Sequence, residues 1–276
     1  MSDNLEDVDN KYKIVKIDTD KHKIPQRKCS LDGYLPRYPF SMELSGPSGS
    51  GKTNLLINFF TNPHMFKDYF HYILVFSPTA GELDDTYKSL KLPKENFIRK
   101  LDSNVLKKII EQRKQQIIKQ GIEKVGKTSR MIIIMDDVIA DKKFLHSDDS
   151  LMLFTLLRHY LISVIILVQA YNGVPKKMRN SCNAIAVFPS LRSEVEVIKE
   201  EITPAGLNKK EFEHIINYCN KDEHSFLFIN NHATKDKKIR CNIHEILTLD
   251  KMKEILKKPP AEITYEDDTK TDAVIK

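Results

Sequence analysis

The sequence lacks the features of a membrane-embedded or secreted protein. Its longest apolar run, Leu161 to Ala170, is about half as long as a membrane-spanning helix requires. The N-terminus is acidic and carries no apolar stretch, so we expect no signal peptide. There are only four cysteines, and no two are close in sequence. This scarcity indicates a reducing compartment rather than a disulfide framework.

The sequence also lacks the compositional bias of disordered or collagen-like chains. Its 276 residues are 41% hydrophobic and 30% charged, which are values typical of a globular protein. This length can form one sizeable α/β domain with its own core. We see no internal repeat. We predict a charged N-terminal arm over residues 1–28, one domain over 29–258 and an acidic tail over 259–276.

Positive charge is concentrated in one segment. The chain has a net charge of +6, and residues 104–130 carry eight Lys/Arg against two Glu. The same segment carries an apolar stripe of helical spacing, Val105, Ile109, Ile110, Ile117 and Ile118. The basic residues suit contact with nucleic-acid phosphates, or they form a solvated helix face, and both interpretations remain open. They are Lys107, Lys108, Arg113, Lys114, Lys119, Lys124, Lys127 and Arg130.

Hydrophobic patterning predicts alternating strands and helices. Apolar runs predict strands at 40–45, 71–76, 131–135, 162–168 and 184–188, with a late hairpin at 225–229 and 239–243. Helical spacing predicts helices at 52–60, 104–120, 150–160, 193–201, 209–219 and 251–257. This alternation favours an α/β fold with a mostly parallel central sheet and helices on both faces.

The most specific motif is a phosphate-binding loop between the first strand and the first helix. Residues 46–53 fit G-x-x-x-x-G-K-[ST], the P-loop pattern. Glycines let the backbone turn its N–H groups inward, and the following helix directs its positive end to the same phosphates. Lys52 is expected to reach the β- and γ-phosphates of ATP, and the Thr53 hydroxyl to bind Mg²⁺. The remaining nucleotide-binding residues are Gly46, Pro47, Ser48, Gly49, Ser50 and Gly51.

Two carboxylates follow the buried strand at 131–135. Asp136 emerges at its C-terminal end, where ligands bind in open α/β sheets. We expect Asp136 to hold Mg²⁺ through water, and Asp137 to act as the catalytic base toward the attacking water. Asp is one CH₂ shorter than the Glu that most such bases use.

A polar amide ends the next strand, and two arginines flank that strand. P-loop ATPases with an additional strand between the P-loop strand and the acidic strand carry a polar residue at its tip. We predict that Gln169 contacts the γ-phosphate and the lytic water. Ring ATPases also require an arginine from a neighbouring subunit. Arg158 and Arg179 are the two candidates, and the alternative for either is surface solvation or capping of a helix C-terminus.

Four residues near the C-terminal hairpin have loosely zinc-like spacing, namely Cys219, His224, Cys241 and His244. The spacing matches no common zinc finger, and Cys241 and His244 would lie on opposite faces of one strand. We therefore expect core cysteines and surface histidines here.

The combined motifs resemble a known family. The order and spacing of 46–53, 131–137, Arg158-His159, 165–169 and the segment from Val174 to Asn180 resemble the DNA-packaging ATPases of poxviruses, other large nucleocytoplasmic DNA viruses and virophages. These belong to the FtsK–HerA branch of P-loop ATPases. The resemblance covers roughly residues 40–188 and, more weakly, 190–249. Lys52, Thr53, Asp136, Asp137 and Gln169 match its functional positions, although cellular relatives carry Glu at the position of Asp137.

The resemblance implies a homo-oligomeric ring motor that uses ATP and Mg²⁺ to move double-stranded DNA into a preformed capsid. It further implies a capsid or portal partner and assembly in the host-cell cytoplasm. No base-reading motif is visible, so DNA contact would be independent of sequence. Three alternatives share the P-loop: a helicase-like translocase in replication or repair, a small-molecule kinase, and a non-hydrolysing nucleotide-binding regulator. A kinase would need an arginine-rich lid, which is not evident.

Overall fold

The computed structural model describes residues 23–78, 85–99, 103–136, 147, 151, 154–189 and 191–259. Its centre is a nine-stranded sheet. The strands are β1 (Ser41–Ser45), β2 (Tyr72–Phe76), β3 (Phe97–Ile98), β4 (Met131–Asp136), β5 (Ile162–Val168), β6 (Ala184–Val187), β7 (Leu227–Asn230), β8 (Ile239–Cys241) and β9 (Glu245–Ile246). Their order in the sheet is β3-β2-β4-β5-β1-β6-β7-β8-β9. The first six strands in this order pair in parallel, and the last three pair antiparallel.

Helices connect these strands and cover the sheet. The longer ones are α1 (Lys52–Thr61), α2 (Ser103–Gln120), α3 (Ile122–Thr128), α4 (Arg192–Ile202), α5 (Lys209–Cys219) and α6 (Leu249–Ile255). Short helical turns occur at Lys28–Leu31 and Lys176–Arg179, and 3₁₀ turns at Asp85–Leu90, Lys94–Asn96, Leu157–Tyr160, Tyr171–Gly173 and Lys235–Lys237. In the described part of the chain, no helix combines the length and hydrophobicity that a bilayer crossing demands.

The predicted α/β architecture is confirmed, including a strand inserted between the P-loop strand and the acidic strand. β5 pairs with β1 on one side and with β4 on the other. Two core clusters lie on opposite faces of the sheet because successive residues of a strand point in opposite directions. Ile133 and Met135 belong to the cluster that includes residues of α2, α4 and α5, whereas Ile132 and Ile134 belong to the cluster that includes residues of α1.

The structure modifies three local predictions. The predicted helix at 150–160 ends as a 3₁₀ turn, Leu157–Tyr160. Ile118 lies outside the apolar stripe of α2 and is 69% exposed, whereas Leu106 and Ile110 are buried. Packing begins before the predicted domain boundary, because Ile24 is buried and an added Cβ on Gly126 would lie only 2.7 Å from its side chain.

Candidate nucleotide-binding site

The sheet brings the predicted site residues to one edge. Parallel strands end at the same edge, and the register aligns Ser45 with Val168 and Asp136 with Leu167. The P-loop after β1, Asp136 at the end of β4 and Gln169 after β5 therefore meet at the carboxyl ends of adjacent strands. They line one cleft of about 430 Å³ together with Thr53 and Thr86.

The loop conformation depends on glycine. Gly51 is the N-cap residue of α1 with φ of 103°, a left-handed value that disfavours residues with a Cβ. It provides no capping side chain for the first turn of α1, so the N–H groups of that turn are available to an anion. At Gly46 the restriction is steric, because an added Cβ would lie 2.6 Å from Cβ of Phe188.

Lys52 extends over the loop. Its Nζ donates hydrogen bonds to the carbonyl oxygens of Gly46 (2.6 Å) and Pro47 (2.7 Å). Its ammonium therefore lies at the phosphate side of the loop, within the cleft that Asp136 and Gln169 also line. A positive group and a ring of backbone N–H donors in one cleft suit a polyphosphate.

The donor set fits a magnesium ion. Thr53 and Asp136 line the cleft from the helix side and the strand side, and both present the hard oxygen donors that Mg²⁺ prefers. Asp137, the predicted base, lies outside the described residues. Gln169 is exposed at the tip of β5, and its predicted contact with the γ-phosphate remains a prediction.

Sequence inspection missed one residue of this site, Tyr87. Its ring is 1% exposed, and its hydroxyl donates a 2.6 Å hydrogen bond to Oδ2 of Asp136. The 3₁₀ turn Asp85–Leu90 that carries Tyr87 packs against α1. A tyrosine that orients a metal-binding carboxylate influences the metal without touching it. The only available signal was an aromatic residue in an otherwise polar segment.

Arg179 does not reach the cleft. Its guanidinium is buried and pairs with Glu201 on α4, Nη2–Oε1 2.6 Å and Nε–Oε2 3.0 Å. It also donates to the Val174 carbonyl and lies over the Tyr171 ring, 4.9 Å from the centroid. Hydrogen bonds from Arg179 and Tyr171 lower the pKa of Glu201 despite partial burial, which raises it. These intramolecular contacts argue against the predicted trans-acting role for Arg179.

A buried carboxyl group lies close to this ion pair. Glu43 on β1 is fully buried, and in the described part of the chain neither of its carboxylate oxygens has a hydrogen-bond partner. Desolvation raises its pKa well above the usual range, although Arg179 opposes the shift. The Arg179 guanidinium thus forms its ion pair with Glu201 and not with Glu43.

Arg158 lies at the opposite edge of the sheet from the cleft. It precedes β5, whose C-terminal end carries Gln169, and it is exposed. His232 lies close by and accepts a hydrogen bond at Nδ1 from the backbone N–H of Arg37, 3.0 Å. Burial, Arg37 and Arg158 lower the pKa of His232 to about 4. Within its own subunit, Arg158 cannot contact the P-loop.

The basic segment divides into structural and surface residues. Arg113 is buried and donates to the carbonyls of Tyr160 (3.1 Å), Leu161 (3.2 Å) and Ser129. Arg130 donates to the Tyr69 carbonyl at 2.6 Å and lies over the Tyr69 ring. These two arginines therefore stabilise the fold, which corrects their inclusion in a phosphate-binding surface. The exposed members are Lys107, Lys108, Lys114, Lys119, Lys124 and Lys127.

The four residues with zinc-like spacing are divided between the core, where both cysteines lie, and the surface, where both histidines lie. Among the described residues no group of three or more His, Cys, Asp or Glu is placed to hold a metal ion. Cys219 and Cys241 are buried, and the Cys241 thiol lies 3.8 Å from the Cys219 carbonyl oxygen. His224 instead contacts the P-loop, with Nδ1 3.2 Å from the Ser50 carbonyl oxygen.

Comparison with known proteins supports the fold and gives the family. The structure is similar to the genome packaging NTPase B204 of Sulfolobus turreted icosahedral virus 2 in complex with AMPPCP, with a TM-score of 0.50 and 14% identity, covering 70% of this chain and 92% of B204. The DNA-packaging ATPase B204 of Sulfolobus turreted icosahedral virus matches with a TM-score of 0.50 and 16% identity, over 70% of this chain and 93% of B204. At these identities the likeness concerns the fold.

Sequence similarity is stronger to a poxvirus protein. The chain is 30% identical over 195 residues to the DNA packaging protein OPG160 of Variola virus, an alignment that spans 67% of this chain and 66% of that protein. The chain thus covers just under two thirds of the length of that relative. The family profile described as "Poxvirus A32 protein" matches residues 32–267. This match includes the P-loop, Asp136 and Gln169, and the chain belongs to the poxvirus A32 protein family.

Proposed function

We propose that this protein is an ATP-hydrolysing double-stranded DNA translocase that packages a viral genome into a preformed capsid. The observation that carries the proposal is the convergence of the P-loop, Asp136 and Gln169 in one cleft. A relative named as a DNA packaging protein and neighbours titled as packaging ATPases support the same function. This function would place the protein in the cytoplasm of the host cell.

The geometry supports phosphoryl transfer to water. The Lys52 ammonium and the first-turn N–H groups of α1 would neutralise the triphosphate. Thr53 and Asp136 would hold Mg²⁺, which offsets negative charge on the phosphates when bound. Gln169 would orient the attacking water from the tip of β5, and Asp137 would accept its proton. Tyr87 would position Asp136 through the 2.6 Å hydrogen bond.

An oligomeric ring would complete this site. The described cleft lining contains no arginine, and transition-state charge on a transferred phosphoryl group is commonly offset by one. Of the two candidates, Arg158 is exposed whereas Arg179 is 7% exposed and paired with Glu201. Arg158 could act on a neighbouring subunit without breaking such a buried ion pair, so we assign the trans-acting role to Arg158.

The exposed lysines of α2 and α3 would follow the DNA backbone. Two carry an intrahelical carboxylate neighbour, Lys114 with Glu111 at 3.8 Å and Lys127 with Glu123. Such exposed ion pairs contribute little to folding stability, so the lysines can exchange them for contacts with DNA phosphates. Binding through lysines and phosphates would be independent of sequence and would weaken steeply with salt.

The decisive experiment is steady-state ATP hydrolysis with and without linear double-stranded DNA, at low and high salt. We expect DNA to stimulate hydrolysis, salt to abolish the stimulation, and Lys52→Ala to abolish hydrolysis under all conditions. Asp137→Asn should retain ATP binding and lose turnover. If the rate of ATP hydrolysis is the same with and without DNA, in a protein shown to be oligomeric, the proposed translocase function is contradicted. Phosphate transfer to a metabolite would support a kinase instead.

A further inference from the structure

A second arginine lies near Arg158, at the edge of the sheet opposite the phosphate cleft. β1 and β5 pair in parallel, so the segments that lead into these two strands run next to each other. The Tyr38 hydroxyl donates to the Leu161 carbonyl and joins the two segments. Arg37 directly precedes Tyr38, and Arg158 lies shortly before Leu161. Both arginines are exposed.

His232, in the turn after β7, lies close to both arginines. Its Nδ1 accepts a hydrogen bond from the backbone N–H of Arg37 at 3.0 Å. Burial and the charges of Arg37 and Arg158 lower the pKa of His232 to about 4. At neutral pH the ring is therefore uncharged, and because Nδ1 accepts, its proton is on Nε2. His232 thus adds a neutral N–H donor to the cluster without adding a third positive charge.

Neither guanidinium group has a partner within the described part of the chain. The side chains of Arg37 and Arg158 form no ion pair or hydrogen bond there, whereas Arg179 is paired with Glu201. Two like charges close to each other repel, and an anion in contact with both removes the repulsion. Guanidinium groups bind phosphate through parallel N–H···O hydrogen bonds. A phosphate group is therefore the ligand that suits this cluster.

The phosphate cleft lacks what this cluster provides. Its described lining contains Lys52 but no arginine. Within one subunit the cleft and the cluster lie at opposite edges of the sheet, so they cannot meet. In a ring, each subunit presents one face to a different face of its neighbour. A ring can therefore bring the cluster of one subunit to the cleft of the next.

We propose that Arg37, Arg158 and His232 form a phosphate-binding site for the γ-phosphate of ATP bound to the neighbouring subunit, and that Arg37 is a second catalytic arginine beside Arg158. The inference rests on the proposed ring ATPase and adds a residue to its site. In hydrolysis, water forms a bond to the γ-phosphorus, the bond to the bridging oxygen breaks, and ADP leaves with the electron pair. The proton of the water passes to the base. Arg37 donates to a γ-phosphate oxygen while negative charge spreads over it.

Three variants separate the role of Arg37 from its surroundings. Arg37→Gln removes the charge but keeps the backbone N–H that His232 accepts. Arg37→Lys keeps a charge and loses the planar fork of donors. Lys235→Gln is the matched control, because Lys235 is an exposed cation in the turn between β7 and β8 at the same edge of the sheet. Thermal unfolding compares the stabilities, and if Arg37→Gln melts lower than the wild type, Arg37→Lys is used for the rates.

The rates are measured at saturating Mg·ATP, with and without linear double-stranded DNA. We expect Arg37→Gln to lower kcat by about 10²-fold in both conditions. Arg37→Lys should lower it by about tenfold, because one donor of a fork remains. Lys235→Gln should leave kcat unchanged. DNA affinity and its salt dependence should be the same in all four proteins, because the phosphate that Arg37 contacts belongs to the nucleotide.

Mixed rings test whether both arginines act on one phosphate across an interface. Arg37→Gln subunits mixed with Lys52→Ala subunits should recover part of the rate, because one supplies the P-loop and the other both arginines. Arg37→Gln subunits mixed with Arg158→Ala subunits should recover none, because every interface then lacks one arginine.

Four results would overturn the inference. They are an unchanged kcat for both Arg37 variants, an equal loss in Lys235→Gln, recovery of the rate on mixing Arg37→Gln with Arg158→Ala, and a salt slope of DNA binding that falls by about one in Arg37→Gln while hydrolysis without DNA is unchanged. The last result would assign Arg37 to a DNA phosphate. A wild-type protein that hydrolyses no ATP in either condition would instead overturn the proposed function.

Discussion

The hydroxyl of Tyr87 donates a 2.6 Å hydrogen bond to Asp136 at the tip of the acidic strand. This bond fixes the carboxylate that we expect to hold Mg²⁺, and it comes from a residue 49 positions earlier in the chain. The proposed metal site is thus organised by a 3₁₀ turn as well as by the sheet edge.

Removing that hydroxyl should weaken magnesium binding. Tyr87→Phe keeps the buried ring and deletes one donor, so we expect the Mg²⁺ concentration for half-maximal ATP hydrolysis to rise about tenfold. Magnesium titrations of the ATPase rate measure this. Tyr218→Phe is the matched control, because its hydroxyl also donates to a carboxylate, Glu245, at 2.9 Å. If the two variants require the same Mg²⁺ concentration, the Tyr87 hydroxyl does not contribute to magnesium binding.

Arg179 should matter for stability. Arg179→Met removes the buried cation from Glu201 and leaves it only the exposed Lys176, 3.7 Å from its Oε1, so we expect a loss of about 3 kcal/mol of unfolding free energy. Denaturant unfolding measures the loss. Lys209→Met, which removes an exposed ion pair with Glu200 on the same helix as Glu201, should cost under about 1 kcal/mol. A loss at Arg179 no greater than that of the control would show that the buried pair does not stabilise the fold.

Arg158 should matter for catalysis in an assembled ring. Because its side chain is exposed, Arg158→Ala should change the unfolding free energy by less than about 0.5 kcal/mol, yet reduce ATP hydrolysis by about 10³-fold. Mixing Arg158→Ala subunits with Lys52→Ala subunits should restore part of the rate, because one supplies an intact P-loop and the other the arginine. If mixed rings stay inactive although they assemble, Arg158 does not act between subunits.

The exposed lysines should set the salt dependence of DNA binding. Replacing Lys119 and Lys124 by Gln should lower the slope of log affinity against log salt by about one for each phosphate that is no longer neutralised. Binding titrations between about 50 and 200 mM salt give the slope. The same changes at Lys253 and Lys257, exposed positions on and just beyond α6, should leave it unchanged. If the salt-dependence slopes of the two double variants are equal, Lys119 and Lys124 do not contact the DNA.

His232 should make the fold sensitive to acid. Its pKa is about 4 in the folded chain and about 6.5 when unfolded. Between these values the unfolded chain binds a proton that the folded chain excludes. The stabilisation is present above about pH 6.5 and is lost as pH falls toward 4.

His232→Asn cannot titrate, and its Oδ1 can still accept from the Arg37 N–H. Between pH 7 and pH 4 the wild-type protein should lose about 2–3 kcal/mol more unfolding free energy than this variant. Denaturant unfolding of both proteins across this pH range tests the difference. If the unfolding free energies of the two proteins fall equally with pH, His232 is not the source of the acid sensitivity.

Much of this site could be predicted from the sequence because its residues directly follow buried strands. Asp136 and Gln169 each end an apolar run, and parallel strands bring such ends together. Tyr87 could not be predicted, because its contact depends on how a 3₁₀ turn packs on α1. Arg113 and Arg179 resembled surface residues, since their burial depends on backbone carbonyls and on Glu201, which are distant in sequence. β3 and β9 contain two residues each, too few to show any periodicity.

The hydrogen bonds of Arg113 connect two parts of the protein mechanically. Arg113 belongs to α2, the helix that carries Lys107, Lys108, Lys114 and Lys119, and it donates to the carbonyls of Tyr160 and Leu161 beside Arg158. The helix proposed to grip DNA and the turn that carries Arg158, the proposed trans-acting arginine, are therefore joined by one guanidinium. Tension on the DNA would pass through that side chain into the turn, so load and hydrolysis would be coupled without any large domain movement.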